Sequence, residues 1–178
     1  MIQKAERIIE AYQKVKPAGC GVIAMDGRAA AGKTTLAEEL AVTLGGAVVH
    51  MDDFFLPGEL RTPERLAAPG GNVHAERFAE EVLPFLRRGA AFRYRRFDWT
   101  EIPPVPVIIV EGAYSQHPRF GGYADLTVFC DIAPEEQKRR ITARNGEEHW
   151  MVFREQWIPL EEKYLAEYHI KENAMLTV

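Results

Sequence analysis

The residues with the clearest chemical potential form one short motif near the start of the chain. The stretch Gly27-Arg28-Ala29-Ala30-Ala31-Gly32-Lys33-Thr34, followed by Thr35, has the spacing G-x-x-x-x-G-K-[ST]. Glycines at these places let the backbone turn tightly, so that successive N–H groups point inward and form a nest for an anion. Lys33 would reach the β- and γ-phosphates of a nucleotide, and the Thr34 hydroxyl would bind Mg²⁺. The motif therefore predicts a nucleotide-binding loop over Gly27 to Thr35.

The segments on either side of this loop support the same interpretation. An apolar run over Cys20–Met25 precedes it, and a helical pattern runs from Thr35 to Leu44, where Gly45 is a typical C-cap. A strand, a glycine-framed loop and a helix are the context in which this motif binds phosphate, since the positive end of the helix adds to the nest. The alternative, an ordinary turn between a strand and a helix, is disfavoured by that context.

Two acidic residues follow other predicted strands. Asp52 comes directly after Ala47–Met51, and Glu111 ends the apolar run Val105–Val110. Asp52 is placed to accept the proton of a substrate hydroxyl, and Glu111 to hold Mg²⁺ or its water shell. Capping of the next turn is the alternative for both acids, and it is the preferred interpretation for Asp53.

A pair of arginines adds a possible phosphate clamp. Arg140 and Arg144 are four residues apart on a helix that opens at Pro134, so they share one helix face. Such a pair could close on the transferring phosphate as part of a lid. The alternative is a solvated basic face, which is the preferred interpretation for Arg139.

Strands and helices alternate along the chain, which predicts an α/β fold with a parallel sheet and right-handed crossovers. Ligands bind at the carboxyl ends of the strands in such sheets, so Gly27, Asp52 and Glu111 should meet at one rim. Outside the site, the pattern predicts an amphipathic helix within 1–17 that Pro17-Ala18 ends, and it turns Val42 toward the interior. Further predicted elements are a helix over Val73–Arg88, an extended piece over Ala91–Phe97, a helix over Trp150–Tyr168 interrupted near Pro159, and a last strand over Ala174–Val178.

The whole chain suits one domain, 1–178. Its 178 residues are 47% apolar and carry a net charge of −4, which argues against a nucleic-acid partner. The longest apolar run is far too short to span a membrane, and the charged N-terminal segment does not have the pattern of a signal peptide. Cys20 and Cys130 do not have metal-ligand spacing. These features predict a cytoplasmic protein.

Four motifs together resemble a known group of enzymes. The phosphate loop, Met51-Asp52-Asp53-Phe54-Phe55, Ile108-Ile109-Val110-Glu111-Gly112 and Glu136 to Arg144 are similar, in this order, to the uridine kinase and nicotinamide riboside kinase group of P-loop kinases. The resemblance implies a three-layer P-loop NTPase fold with a five-stranded parallel sheet, helices on both faces and a short helical lid at about 134–158.

The resemblance also implies an activity and a set of roles. The enzyme would use ATP and Mg²⁺ to phosphorylate the primary hydroxyl of a nucleoside or a similar small alcohol. Asp52 matches the catalytic base of the group, Glu111 the acid at the metal, and Arg140 and Arg144 the lid arginines, with Lys33 on the phosphates.

The substrate loop departs from the pattern of uridine kinases. Gly71-Asn72-Val73-His74 stands where they carry Asn-Phe-Asp, and Arg95-Arg96-Phe97-Asp98-Trp99 replaces their base-recognition segment. The expected acceptor-binding residues are Asp52, Phe54, His74, Arg96 and Asp98, although His74 has a second interpretation as a helix cap.

Several functional alternatives stay open. The acceptor could be another small alcohol, such as a vitamin precursor, a sugar or an antibiotic, and Arg93, Arg95 and Arg96 would favour an anionic one. Two hypotheses from other classes of protein are a nucleotide-dependent switch and a non-catalytic nucleotide-binding module. The preference for ATP or GTP and assembly into a homo-oligomer are also open.

Overall fold

A five-stranded parallel sheet with the strand order β2-β5-β1-β6-β7 lies at the centre of the protein. The computed structural model describes residues 2–15, 19–96 and 98–178, so that Pro17-Ala18 and Phe97 lie outside the described residues. The strands are β1 (Gly21–Gly27), β2 (Ala47–His50), β3 (Phe92–Arg95), β4 (Trp99–Ile102), β5 (Val107–Glu111), β6 (Leu126–Cys130) and β7 (Leu176–Thr177). The helices are α1 (Ile2–Val15), α2 (Lys33–Leu44), α3 (Pro63–Ala67), α4 (Ala75–Glu81), α5 (Pro134–Asn145), α6 (Glu147–Val152), α7 (Ile158–Glu167) and α8 (Ile170–Asn173).

Helices cover both faces of this sheet. On one face α1 and α2 pack through Ile8, Leu36 and Leu40. On the other face α4, α7 and α8 pack around Phe78 and Tyr164. Every residue of β5 is buried, as its unbroken apolar run predicts for a strand covered on both sides. The three-layer α/β fold with a five-stranded parallel sheet is therefore confirmed.

Several local predictions were wrong in detail. Val42 does not face inward; it is 86% exposed, because α2 turns that position to solvent while Leu36 and Leu40 reach the core. The helix predicted over Val73–Arg88 is an α-helix only over Ala75–Glu81, after which turns carry Val82 and Leu86 into the same core. The apolar residues of this segment are therefore buried as predicted, although the second half of the segment is not helical.

Of two further segments, the extended piece is confirmed over Phe92–Arg95, whereas the last long helix is more irregular than its pattern predicted. The extended piece after Ala91 is one arm of a hairpin, in which β3 pairs antiparallel with β4. The helical stretch around Trp150 consists of α6, a π-helical turn over Phe153–Trp157, and α7. Pro159 is the second residue of α7, just after this irregular turn. Within the described ranges, no helix combines the length and apolar character needed to cross a membrane.

The register of the strands brings the predicted site to one rim. Met25 of β1 and His50 of β2 both pair with Glu111 of β5, and Gly27 pairs with Cys130 of β6. The loops that follow β1, β2 and β5 therefore leave the sheet side by side at its carboxyl edge.

Candidate active site

A cavity of about 810 Å³ opens at this edge of the sheet. Its wall combines the loop after β1, the turn after β2, the end of β5, the long connection between β2 and β3, and the helices that follow β6. The lining residues are Lys4, Ala29, Ala30, Ala31, Gly32, Lys33, Thr34, Thr35, Leu36, Asp52, Phe55, Arg61, Asn72, Glu111, Gly112, Ala113, Tyr114, Arg140, Arg144, Phe153, Trp157 and Glu161.

The loop between β1 and α2 has the backbone geometry of a phosphate nest. Gly27 has φ +133, and a Cβ there would lie 2.1 Å from the carbonyl oxygen of Cys130, so only glycine fits against β6. Gly32, with φ 90, turns the chain into α2, and Ala30 also adopts a positive φ of 61. Alternating left-handed residues turn successive N–H groups toward one side.

Lys33 and Thr34 are the first two residues of α2, so the helix itself points them at the loop. Lys33 Nζ donates to the carbonyl oxygens of Gly27 at 2.8 Å and Arg28 at 2.9 Å, which folds its side chain over the loop. Thr34 Oγ1 donates to Glu111 Oε1 at 3.1 Å. The lysine and the hydroxyl are thus positioned on the cavity wall by contacts with the neighbouring backbone and with β5.

Glu111 joins three elements at the end of β5. The residue is 4% exposed, and its Oε1 also lies 2.6 Å from His50 Nδ1. The hydrogen bond with Glu111 raises the pKa of His50 above its usual value, although burial works in the opposite direction. A carboxylate oxygen and a threonine hydroxyl at this spacing are hard oxygen ligands of the kind that Mg²⁺ takes together with water and phosphate.

Asp52 lies on a 3₁₀ turn, Met51–Phe54, immediately after β2 and lines the cavity. Burial of the carboxyl raises the pKa of Asp52, and the nearby charge of Glu111 raises it further, while Lys33 acts in the opposite direction. A carboxylate with a raised pKa is a stronger base, as proton transfer from an alcohol requires.

Asp53 has a different environment from its neighbour. Its carboxylate accepts the Tyr94 hydroxyl at 2.9 Å and forms an ion pair with Arg96 at 2.9 Å. Asp53 therefore attaches the β3–β4 hairpin to the turn that carries Asp52.

Helix α5 contacts the outside of the phosphate loop. Gln137 Nε2 donates to the carbonyl oxygen of Ala29 at 3.0 Å, and Arg140 Nη1 donates to that of Ala30 at 3.1 Å. Arg140 also pairs with Glu136, whereas Arg144 donates to the neutral Asn145. Both arginines line the cavity.

Comparison with solved structures identifies the fold, although no family model matches the chain. A possible uridine kinase from Bacillus stearothermophilus is 19% identical and superposes with a TM-score of 0.74 over 98% of this chain and 97% of that one. A candidate fructose transport system kinase from Silicibacter sp. TM1040 is 21% identical, with a TM-score of 0.73 over 98% of each chain. Shikimate kinase from Bacteroides thetaiotaomicron is 21% identical, with a TM-score of 0.50 over 88% of this chain and 84% of that one. The chain has the fold of the P-loop kinases.

In this P-loop fold, several sequence-predicted site residues lie away from the cavity wall. Arg28 points outward to Asp131 and Glu162. Phe54 is fully buried and packs edge-on against Phe78 at 5.2 Å between ring centroids.

Three more of the predicted acceptor residues also lie outside the lining. The His74 ring accepts the N–H of Arg77 as the cap of α4, Arg96 is paired with Asp53, and Asp98 is exposed. None of the three lines the cavity, and their contact with a bound acceptor stays a prediction.

Sequence reasoning missed Glu161, which touches the P-loop directly. Glu161 Oε2 accepts the N–H of Ala29 at 3.0 Å, and burial raises the pKa of Glu161 to about 7 even though Lys33 acts in the opposite direction. No sequence signal marks it, since one acid in an amphipathic helix such as α7 usually faces solvent.

A buried acid also stabilises the strand that leads into the P-loop. Asp26 accepts hydrogen bonds from the N–H groups of Gly27, Tyr114 and Gln116 and from the Tyr164 hydroxyl, at 2.7 to 3.2 Å. These four donors satisfy a fully buried carboxylate, so the strand entering the P-loop is fixed to both the segment after β5 and α7.

Proposed function

We propose that this protein is an ATP-dependent kinase that transfers the γ-phosphoryl group of ATP to a hydroxyl group of a small molecule. The observation that carries the proposal is the convergence of Lys33, Thr34, Asp52 and Glu111, from three separate segments, on one cavity. A phosphate nest alone would serve nucleotide binding. An acid with a raised pKa beside the nest adds the means to activate an alcohol.

The triphosphate would be held by the P-loop and three cations. Lys33 would exchange its present carbonyl partners for phosphate oxygens. Arg144, whose hydrogen-bond partner is a neutral side chain, has its positive charge available, and Arg140 lies one helical turn away. Together they would offset the negative charge on the transferring group.

Mg²⁺ fits the pair of oxygen ligands formed by Thr34 and Glu111. These two residues would hold the ion, which when bound would offset negative charge on the phosphates. His50 contacts the same carboxylate oxygen and so fixes its orientation.

Asp52 would act as the base in the transfer. Its carboxylate takes the proton of the acceptor hydroxyl as that oxygen forms a bond to the γ-phosphorus. The bond from the γ-phosphorus to the bridging oxygen breaks, and ADP leaves with the electron pair. Proton transfer by a positioned base is usually worth about 10²–10⁴ in rate.

The first acceptor class to test is the nucleosides, because the sequence resembles uridine kinases and one similar structure is described as a possible uridine kinase. His74, Arg96 and Asp98, which were expected to read such an acceptor, do not line the cavity. The acceptor therefore needs to be established from the cavity residues themselves.

The test is ADP formation and detection of a phosphorylated product by mass spectrometry, with ATP, Mg²⁺ and a panel of nucleosides, ribosides, sugars and hydroxy acids. At least one alcohol should yield a phosphate ester, and Lys33→Ala should abolish this turnover. Lys14→Ala, which removes an exposed lysine of α1, is the matched control and should keep it. Nucleotide binding without transfer to any alcohol would contradict the proposal and favour a non-catalytic nucleotide-binding module.

A further inference from the structure

The cavity continues beyond the catalytic residues along the connection that follows Asp52. Its wall there is formed by Phe55, Arg61, Asn72 and Trp157. Phe55 packs against Tyr114, another lining residue, with ring centroids 6.2 Å apart. This part of the cavity is here called the Arg61 subsite.

Arg61 is a cation without an acidic partner. Its Nε donates to the carbonyl oxygen of Leu56 at 2.7 Å, and its guanidinium carbon lies 5.6 Å from the centre of the Trp157 ring. No carboxylate lies within ion-pair distance of Arg61 among the residues that the structure describes. The guanidinium is therefore held in place by an aromatic face and one carbonyl, with its terminal N–H groups uncommitted.

The other arginines that the sequence offered for an anion are already paired. Arg93 pairs with Glu101, Arg95 with Glu81 and Arg96 with Asp53. None of these three lines the cavity, whereas Arg61 does.

Asn72 supplies a second, independent sign of a ligand. The residue is 5% exposed, and its side-chain oxygen is buried without a hydrogen-bond partner among the described residues. A buried polar atom of this kind is costly unless something donates to it. The backbone carbonyl of Asn72 accepts the N–H of Leu56 at 3.0 Å, so Leu56 fixes both Asn72 and Arg61.

We propose that the acceptor is a small alcohol that carries a carboxylate or a phosphate group, and that Arg61, backed by Trp157, binds this anion. Asn72 receives a hydrogen bond from a hydroxyl or N–H group of the same molecule. This inference rests on the proposed kinase function and names the substrate class for it. The two terminal nitrogens of a guanidinium match two oxygens of a carboxylate or phosphate, which a neutral amide cannot replace.

The positions of four basic residues of the cavity agree with this assignment. Lys33, Arg140 and Arg144 lie on the side of the P-loop, where the triphosphate would bind. Arg61 instead lies beside Leu56, which also bonds Asn72, and an acceptor anion would balance its charge. The Trp157 ring, 5.6 Å from the guanidinium carbon, attracts the same cation and helps to hold it in place for that anion.

The test compares each anionic alcohol with its neutral partner. A hydroxy acid is compared with its amide, and a sugar phosphate with the unphosphorylated sugar, by the ratio of their kcat/KM values. The wild type should favour the anion by about 10- to 100-fold in one of the two arms, from one or two charge-assisted hydrogen bonds. A preference for the hydroxy acid over its amide identifies a carboxylate as the anion, and a preference for the sugar phosphate over the sugar identifies a phosphate.

Three variants assign the preference to a residue. Arg61→Gln should bring the ratio close to one while the KM for ATP stays unchanged, and Arg61→Lys should keep part of the preference. Arg93→Gln removes the same charge from the hairpin, outside the cavity, and should keep all of it. Thermal unfolding of each variant shows whether the loss of the bond to Leu56 has disturbed the fold. If Arg61→Gln is unstable, the charge-retaining Arg61→Lys tests the assignment, because it should keep only part of the preference for the anion.

Two results would overturn the inference. One is equal turnover of neutral and anionic alcohols by the wild type, and the other is a preference that survives in Arg61→Gln. Should no alcohol be phosphorylated, the kinase proposal fails, and calorimetric binding of the same acids and amides with Mg²⁺ and a non-hydrolysable ATP analogue still decides the subsite. Tighter binding of the acid that disappears in Arg61→Gln supports it, and equal binding contradicts it.

Discussion

The carboxylate of Glu161 accepts the backbone N–H of Ala29 at 3.0 Å, although the two residues are 132 positions apart. This contact fixes α7 to the P-loop. It also leaves an acid buried against the nest, close to Asp26, Asp52 and Lys33. The P-loop is thus shaped by a group whose charge depends on pH in the neutral range.

Stability should therefore depend on the protonation of Glu161. Burial raises its pKa from 4.5 to about 7, so the folded protein holds a proton that the unfolded chain releases between these two values. The stability that this proton contributes is fully present below pH 4.5 and is lost as the pH rises through 7. Glu161→Gln keeps a neutral side chain and a carbonyl that accepts the N–H of Ala29. As the pH rises, the free energy of unfolding of this variant should therefore increase relative to that of the wild type, by up to about 3 kcal/mol above pH 7.

Urea unfolding of both proteins from pH 5 to pH 8 measures this difference. Glu167→Gln, on an exposed position of the same helix, is the control and should show no such growth with pH. A difference between Glu161→Gln and the wild type that stays constant over the whole range would refute the assignment.

The pairing of Thr34 with Glu111 leads to a prediction about metal dependence. Glu111→Gln replaces a charged oxygen ligand by a neutral one while keeping the bond to Thr34 sterically available. The Mg²⁺ concentration that gives half-maximal turnover should rise by about 10- to 100-fold, whereas nucleotide binding without metal should not weaken. Magnesium titrations of turnover, with the exposed Glu38→Gln of α2 as control, measure this effect. An unchanged half-saturating concentration would remove Glu111 from the metal site.

The first glycine of the P-loop motif should be needed for folding as well as for binding. Gly27→Ala would place a Cβ 2.1 Å from the Cys130 carbonyl oxygen at a φ of +133. Such a change should cost about 2–4 kcal/mol of stability, through backbone strain and overpacking. Gly58→Ala has open space around the new Cβ and an ordinary φ, so it should leave the unfolding midpoint nearly unchanged. Equal midpoints for the two variants would contradict the packing argument.

The parts of the fold that depend on local signals could be predicted from the sequence. The apolar runs gave the positions of the main strands, and Gly27 and Gly32 gave the nest, because a positive φ and a close approach leave few other residues possible. Asp52 and Glu111 could be placed on one rim because the carboxyl ends of parallel strands always meet there.

The remaining features depend on packing between distant segments. Arg61 and Arg96 look alike in the sequence, and only the fold pairs Arg96 with Asp53 while it places Arg61 over the Trp157 ring. Glu161 resembles any surface acid of a helix until α7 docks on the P-loop. Partners more than a hundred positions away decide such roles, and no local pattern encodes them.

The central claim is that Asp52 acts on an acceptor hydroxyl beside a nucleotide held by the P-loop. The most direct measurement is transfer of the labelled γ-phosphoryl group of ATP to the acceptor by the wild type and by Asp52→Asn, with ATP affinity measured in parallel. We expect the variant to bind ATP as the wild type does and to form the phosphorylated acceptor about 10²–10⁴ times more slowly. Transfer at the wild-type rate in Asp52→Asn would contradict the account.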